Sequence, residues 1–159
     1  MAGSVRAALR RAIVTGFGDY LANLADFNGN TRPEWKPLVS YGYDFGLDNA
    51  ERVYPTRVRA DTPPAAMRSG RNFRKESGVL DVVILVKAVG GNYEDADDRA
   101  EAIGQQLEEW IADRKQGEGL AISGLIAMVA DGWEQVFAGN TQGAMSEVTY
   151  KVRWTARLT

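Results

Sequence analysis

Apolar residues recur along this chain with two periods, and the switches between them predict its elements. Val5, Leu9, Ala12, Ile13, Phe17, Tyr20, Leu21 and Leu24 repeat at helical spacing, and Ser4 stands where a capping hydroxyl belongs. The segment Asn28-Gly29-Asn30-Thr31-Arg32-Pro33 ends that helix in a loop. A strand is expected from Leu38 to Phe45, with Val39, Tyr41, Tyr43 and Phe45 on one side. Another is expected from Arg52 to Ala60, where Pro55 cannot donate to a ladder and so calls for a sheet edge or a bulge. Residues 62–75 have no clean period and read as a long loop, spanning about 61–77 at its widest.

The stretch from Val79 to Arg114 organises the rest. Val79 to Ala88 is apolar and β-branched, with Leu80, Val82, Ile84, Val86 and Ala88 on one face, and describes a central strand. Gly90-Gly91-Asn92 breaks it, and a helix opens at Tyr93 with Glu94, Asp95, Asp97 and Asp98 near its positive end. Asp95 is the expected cap. Ala96, Ala100, Ile103, Leu107, Trp110 and Ile111 then form a single helical stripe, closed by Gln116-Gly117-Glu118-Gly119. Leu120 to Ala130 suits a strand of small residues, and Trp133 to Phe137 either continues it or pairs locally, with Asp131-Gly132 as a turn or bulge. After a turn at residues 139–143, Val148, Tyr150, Val152, Trp154, Ala156 and Leu158 alternate with Glu147, Thr149, Lys151, Arg153, Thr155 and Arg157. That alternation predicts a strand with one buried and one polar face. The expected fold is one α+β domain in the order α-β-β-β-α-β-β, with a mostly antiparallel sheet packed by two helices.

Composition narrows the chemistry. The chain has 159 residues, enough for one core without staples, with 45% hydrophobic and 25% charged residues. Lys+Arg 19 against Asp+Glu 21 gives a net charge of -2, so no global field draws it to nucleic acid or an anionic membrane. His 0 and Cys 0 remove the imidazole base, the thiol nucleophile and the commonest zinc ligands. Any catalysis would fall to carboxylates, Lys, Tyr, Ser or Thr. The N-terminal segment lacks a signal-peptide apolar run, and no stretch reaches the roughly 20 apolar residues that span a bilayer. A cytosolic or cytosol-assembled protein with no membrane partner is expected.

Four constellations merit weighing. Gly16-Phe17-Gly18 resembles a phosphate loop, but Leu21 stands where the dinucleotide fingerprint needs a third glycine, and helical spacing precedes it. Glu94, Asp95, Asp97 and Asp98 lack calcium-loop spacing and fan around a helix axis, so capping and dipole complementation explain them, and no metal or other cofactor is called for. Arg68, Arg71, Arg74 and Lys75, with Phe73 and Met67 among them, read either as a solvated loop or as an arm that meets an acidic partner or a nucleic acid backbone. Lys151, Arg153 and Arg157 share a strand face, which Lys87, Arg57 and Arg59 could join, and that face is either solvated or turned toward a channel or a neighbour. Arg6, Arg10 and Arg11 read as solubilising residues on the first helix.

These elements resemble the tail terminator (tail completion) proteins of long-tailed phages, and more broadly the minor neck proteins that join head to tail. The resemblance rests on the N-terminal helix, Arg52-Val53-Tyr54-Pro55, Val82-Val83-Ile84-Leu85-Val86, the helix start Tyr93 to Ala100, and a last strand ending Arg157-Leu158-Thr159. It implies a virion subunit, assembled in the host cytoplasm, that closes into a hexameric ring on the tail tube. Such a ring halts tube polymerisation and presents a surface to the head connector. The implied partners are other copies of the chain, the major tail tube protein, the connector or neck proteins, and DNA passing through the lumen. No catalytic residues follow from the resemblance. Within a ring, the acids near Glu94 to Asp98, or Glu108 and Glu109, are expected to meet the Arg68 to Lys75 segment of a neighbour, with Trp35, Phe73 and Trp133 as further contact candidates. The alternatives are a head-closure or adaptor protein of the neck, or a nucleic-acid-binding module using Arg57, Arg59, Lys151, Arg153 and Arg157. A small carboxylate enzyme ranks last.

Overall fold

A four-residue apolar spacing sets the first element. Val5, Leu9, Ile13, Phe17 and Leu21 are all nearly fully buried. In an ideal α-helix each four-residue step overshoots a full turn by about 40°, so such a stripe would wander off the core. In the computed structural model, which describes residues 4–43, 51–61, 74–89, 92–140 and 143–158, a wider turn corrects it. Helix α1 (Arg6–Ala12) passes through a π-helical turn (Ile13–Phe17) into α2 (Gly18–Ala22) as one rod, which keeps the stripe on the core. The cap position is Val5, which makes no side-chain cap bond, rather than the expected Ser4; one residue earlier, the Ser4 Oγ accepts from the Arg6 N–H at 3.1 Å. The same hydroxyl donates to Glu76 Oε1 at 2.8 Å, and the Val5 N–H reaches that oxygen at 3.3 Å, so a buried carboxylate sits at the helix N-terminus.

The fold is α+β, as the periodicities predict. Strands β1 (Leu38–Val39), β2 (Glu51–Asp61), β3 (Arg74–Val89), β4 (Leu125–Asn140) and β5 (Gly143–Leu158) form one sheet in the order β1-β2-β3-β5-β4. Among the described strands, only the β1–β2 pairing is parallel. Helix α3 (Tyr93–Asp113) lies across β3 and β5 on the same sheet face as the α1–α2 rod. Between the helices and the sheet lies the core, including Val53, Leu80, Val82, Ile84, Ile103, Leu107, Trp110, Val152 and Trp154. Val83 and Leu85, on the opposite face of the central strand β3, are only 5% and 6% exposed.

Several boundaries differ from the sequence expectation. The predicted 38–45 strand shrinks to two paired residues, after which Ser40 Oγ donates to the Gly42 carbonyl at 2.6 Å and Tyr41 and Tyr43 are exposed; Phe45 lies outside the described residues. The central strand starts at Arg74 rather than Val79, so Arg74 and Lys75 belong to a strand and not to the loop. Its first half escapes a hydrophobic reading because the inward positions are Glu76, taken by the helix N-terminus, and Gly78, which accommodates Trp154. Asn92, not Asp95, caps α3: its side chain accepts from the Asp95 N–H at 2.9 Å. A cap needs extended backbone, which Asn92 has, whereas Asp95 is already inside the first turn. Leu120 closes a 3-10 turn (Lys115–Leu120), left-handed Ala121 ends it, and β4 begins at Leu125. Pro55 does mark a bulge, between Pro55 and Val58.

Two cationic side chains tie the layers together. Arg10 donates to the Pro55 carbonyl at 3.3 Å and the Thr56 carbonyl at 2.5 Å, satisfying backbone at the bulge, so it does more than solubilise α1. Arg99 Nε contacts both oxygens of buried Glu51 at 3.0 and 2.8 Å, and Nη2 donates to the Asp26 and Trp35 carbonyls at 2.8 and 3.2 Å. The Arg99 guanidinium also lies over the Phe27 and Trp35 rings, at 4.3 and 5.0 Å. It therefore joins α3, the start of β2 and the segment after α2.

Close packing depends on glycine opposite aromatic rings. A Cβ on Gly16 would stand 2.7 Å from the Trp110 ring, and one on Gly104 would stand 2.6 Å from the Tyr150 ring. Gly104→Ala is expected to cost about 1–3 kcal/mol through overpacking, read as a lower urea midpoint with unchanged slope. Arg99→Ala removes the guanidinium from buried Glu51, and a loss clearly above the roughly 1 kcal/mol of an exposed pair is expected in the same urea measurement. A loss within 1 kcal/mol, roughly that of an exposed pair, would contradict the joining role.

Candidate functional site

Register fixes what each sheet face presents. On the face away from the helices, Lys75 pairs with Arg157, Val79 with Arg153, and Asp81 with Lys151, while Arg59 pairs with Val79 on the other side. The structure thus brings Lys151, Arg153 and Arg157 together on one face and adds Lys75 and Arg59 to them. Lys87 shares the face but sits at its far end, opposite Met145. The patch is not purely basic. Lys151 Nζ meets Glu134 Oε1 at 3.0 Å and Arg153 Nε meets Asp131 Oδ2 at 2.8 Å, both exposed pairs in which acids of β4 answer cations of β5. Arg68, Arg71 and Phe73 lie outside the described residues; Lys75 is exposed.

On the helix side, β4 is an edge strand whose described neighbour is β5 alone. Ile126, Trp133, Val136 and Phe137 along it are 50–62% exposed. A bulge between Ala130 and Trp133, with Gly132 at φ 91, carries the extra residues. It shifts the alternation, so that Met128 and Ala130 face the helices before it and Trp133, Gln135 and Phe137 do so after it. Phe137 packs edge-on against Tyr93 at 5.2 Å, joining the far end of the strand to the start of α3.

Between α3 and β4 lies an open cleft of about 290 Å³, lined by Asp97, Glu101, Gln105 and Glu108 from the helix, with Trp133, Gln135, Val148 and Tyr150 from the sheet. The four helix positions follow at intervals of four, four and three, which puts them on one side of α3. Gln135 Nε2 donates to Asp97 Oδ1 and, at 3.1 Å, to Ser146 Oγ. Glu101 and Glu108 form no ion pair among the described residues. Tyr150 is 5% exposed and its phenol makes no hydrogen bond to a described residue.

Of the acids singled out by sequence, Glu94, Asp95 and Asp98 are exposed at the start of α3 and do not line this cleft. The α3 acids that line the cleft are Asp97, Glu101 and Glu108. Of these, Glu108 was among the expected contact residues and Glu101 was missed. Trp133 is exposed as expected, whereas Trp35 is partly buried beneath Arg99. No group of three or more acids converges as a metal site among the described residues, and no described helix is long and apolar enough to cross a membrane. No family model and no curated protein matches the chain.

Burial, reinforced by Glu108 and then Glu101, pushes the Tyr150 phenol from 10.0 up to about 12. The folded phenol holds its proton more tightly than the unfolded one, so its contribution to stability is intact below pH 10 and is lost as pH rises toward 12. Tyr150→Phe is expected to remove an ionisation near pH 12 from the phenolate absorbance titration and to make the fall of stability across that window shallower. A titration unchanged by the substitution would contradict this environment.

Proposed function

We propose that this chain is a structural virion subunit that closes into a hexameric ring on a phage tail tube, stops its polymerisation and offers a surface for head joining. The observation that supports this reading best is the β4 edge. Sixteen residues of strand, with Trp133, Val136 and Phe137 exposed along it, form a template that a lone soluble domain would ordinarily shield. At the other side of the sheet, β2 beyond Val53 has no described strand outside it. Two different open edges on one subunit suit head-to-tail contacts, which close into rings when the rotation allows. In this reading a neighbour covers β4, and the face carrying Lys151, Arg153 and Arg157 turns toward the lumen through which DNA passes. The role is mechanical and needs no chemistry from the chain.

Mixing the protein with purified tail tubes and imaging by electron microscopy is the direct test, with particle mass giving the subunit number. Rings of six at a single tube end are the expected result. Uncapped tubes, or protein bound along their length, would overturn the reading.

A further inference from the structure

The cleft between α3 and β4 has a charge and a shape that specify an occupant. Its lining holds three carboxylates, Asp97, Glu101 and Glu108, and no cation. Trp133, 57% exposed, supplies an indole surface at its sheet side. Tyr150, nearly fully buried and lacking a hydrogen-bond partner among the described residues, ends in the same cleft. A planar cation matches the chemistry of all three kinds of group in this lining. It stacks on indole, forks onto a carboxylate and donates to the phenol oxygen, which an ammonium point charge does less well. The adjacent β4 edge offers backbone pairing to whatever chain carries that cation, so the carrier is an extended protein segment.

The chain itself contains the complementary segment. Residues 57–75 carry Arg57, Arg59, Arg68, Arg71, Arg74 and Lys75 against one acid, Asp61. We propose that the α3–β4 cleft is a receptor for an arginine from the 64–75 segment of a second copy of this chain. This deepens the ring reading and rests on it for the identity of the donor. The contact is head-to-tail, because the cleft and the segment are different patches of one subunit. Asp97 enters by releasing Gln135, whose amide then remains bonded to Ser146.

The test uses a peptide of residues 64–75 and its analogue with citrulline at the three arginine positions, each titrated into the full chain. The Trp133 indole N–H resonance is followed. A saturable shift is expected with the arginine peptide and not with the citrulline one. Glu101→Gln/Glu108→Gln is expected to weaken binding about tenfold or more, and Trp133→Leu to weaken it as well. Equal binding of both peptides, binding that ignores these substitutions, or no shift at millimolar peptide would overturn the proposal. The two readings fail separately. Tube capping by a variant whose cleft binds no peptide sinks the cleft and spares the ring. A cleft that binds the peptide in a protein that never caps tubes sinks the ring and spares the cleft.

Discussion

Three glycines set against large rings fix how closely the layers of this molecule pack, and much of the architecture follows from that constraint. Gly104 lets α3 settle onto Tyr150, and Gly16 lets the π-helical turn settle onto Trp110. Phe17 then packs against the same indole at 5.8 Å, so Trp110 joins both helical segments above the sheet. A third pair works within the sheet, where Gly78 of β3 makes room for the Trp154 ring beside the Arg59 carbonyl. With His and Cys missing, neither a metal with histidine or cysteine ligands nor a disulfide can fix the spacing of the layers. Size complementarity between residues far apart in sequence does so. It also shapes the cleft: α3 sits low over β5 at Gly104, and its acidic side therefore overhangs β4 at Trp133.

Charged groups inside this packing act as joints. Glu76 meets the N-terminus of the first rod, Arg10 satisfies carbonyls at the β2 bulge, and Arg99 with Glu51 joins α3 to β2. Each joins elements at least 45 residues apart in the chain. A buried ion pair gains little against an apolar pair of equal volume, but leaving one member alone is costly, so such contacts specify register more than they add stability. Arg99 is the most connected of these joints, bridging buried Glu51 of β2 and the carbonyls of Asp26 and Trp35.

The elements that could be read from sequence are those whose periodicity is unbroken. The alternation of β5 and the stripe of α3 are both found as expected, down to the buried residues. Where a polar residue or a glycine occupies an inward position, the period is lost. Glu76 and Gly78 hid the first half of β3, since their reasons for facing inward lie on other elements. Trp133 was legible as an aromatic residue seeking cover, yet its facing was not. Counting alternately from Met128 places it on the outer face, and only the bulge at Asp131-Gly132 turns it toward α3. The cleft was illegible for the same reason, because it depends on that shift and on the depth at which α3 sits.

Net charge conceals how this chain distributes its charges. Helix α3 carries eight carboxylates against one cation, Arg99, and that cation is spent on Glu51. The basic residues concentrate instead in residues 57–75 and on the outer face of β5. This segregation bears on how a second copy could cover the β4 edge, which has no outer neighbour among the described residues. Pairing two copies edge to edge about a two-fold axis would bring one acidic helix beside another, with Glu101 and Glu108 of both subunits near the join. Like charges disfavour that arrangement. Setting the basic segment of one copy against the acidic helix of the next has the opposite sign and uses two distinct patches. For the ring proposed above, this segregation of charge favours a directional, repeating contact over a closed pair.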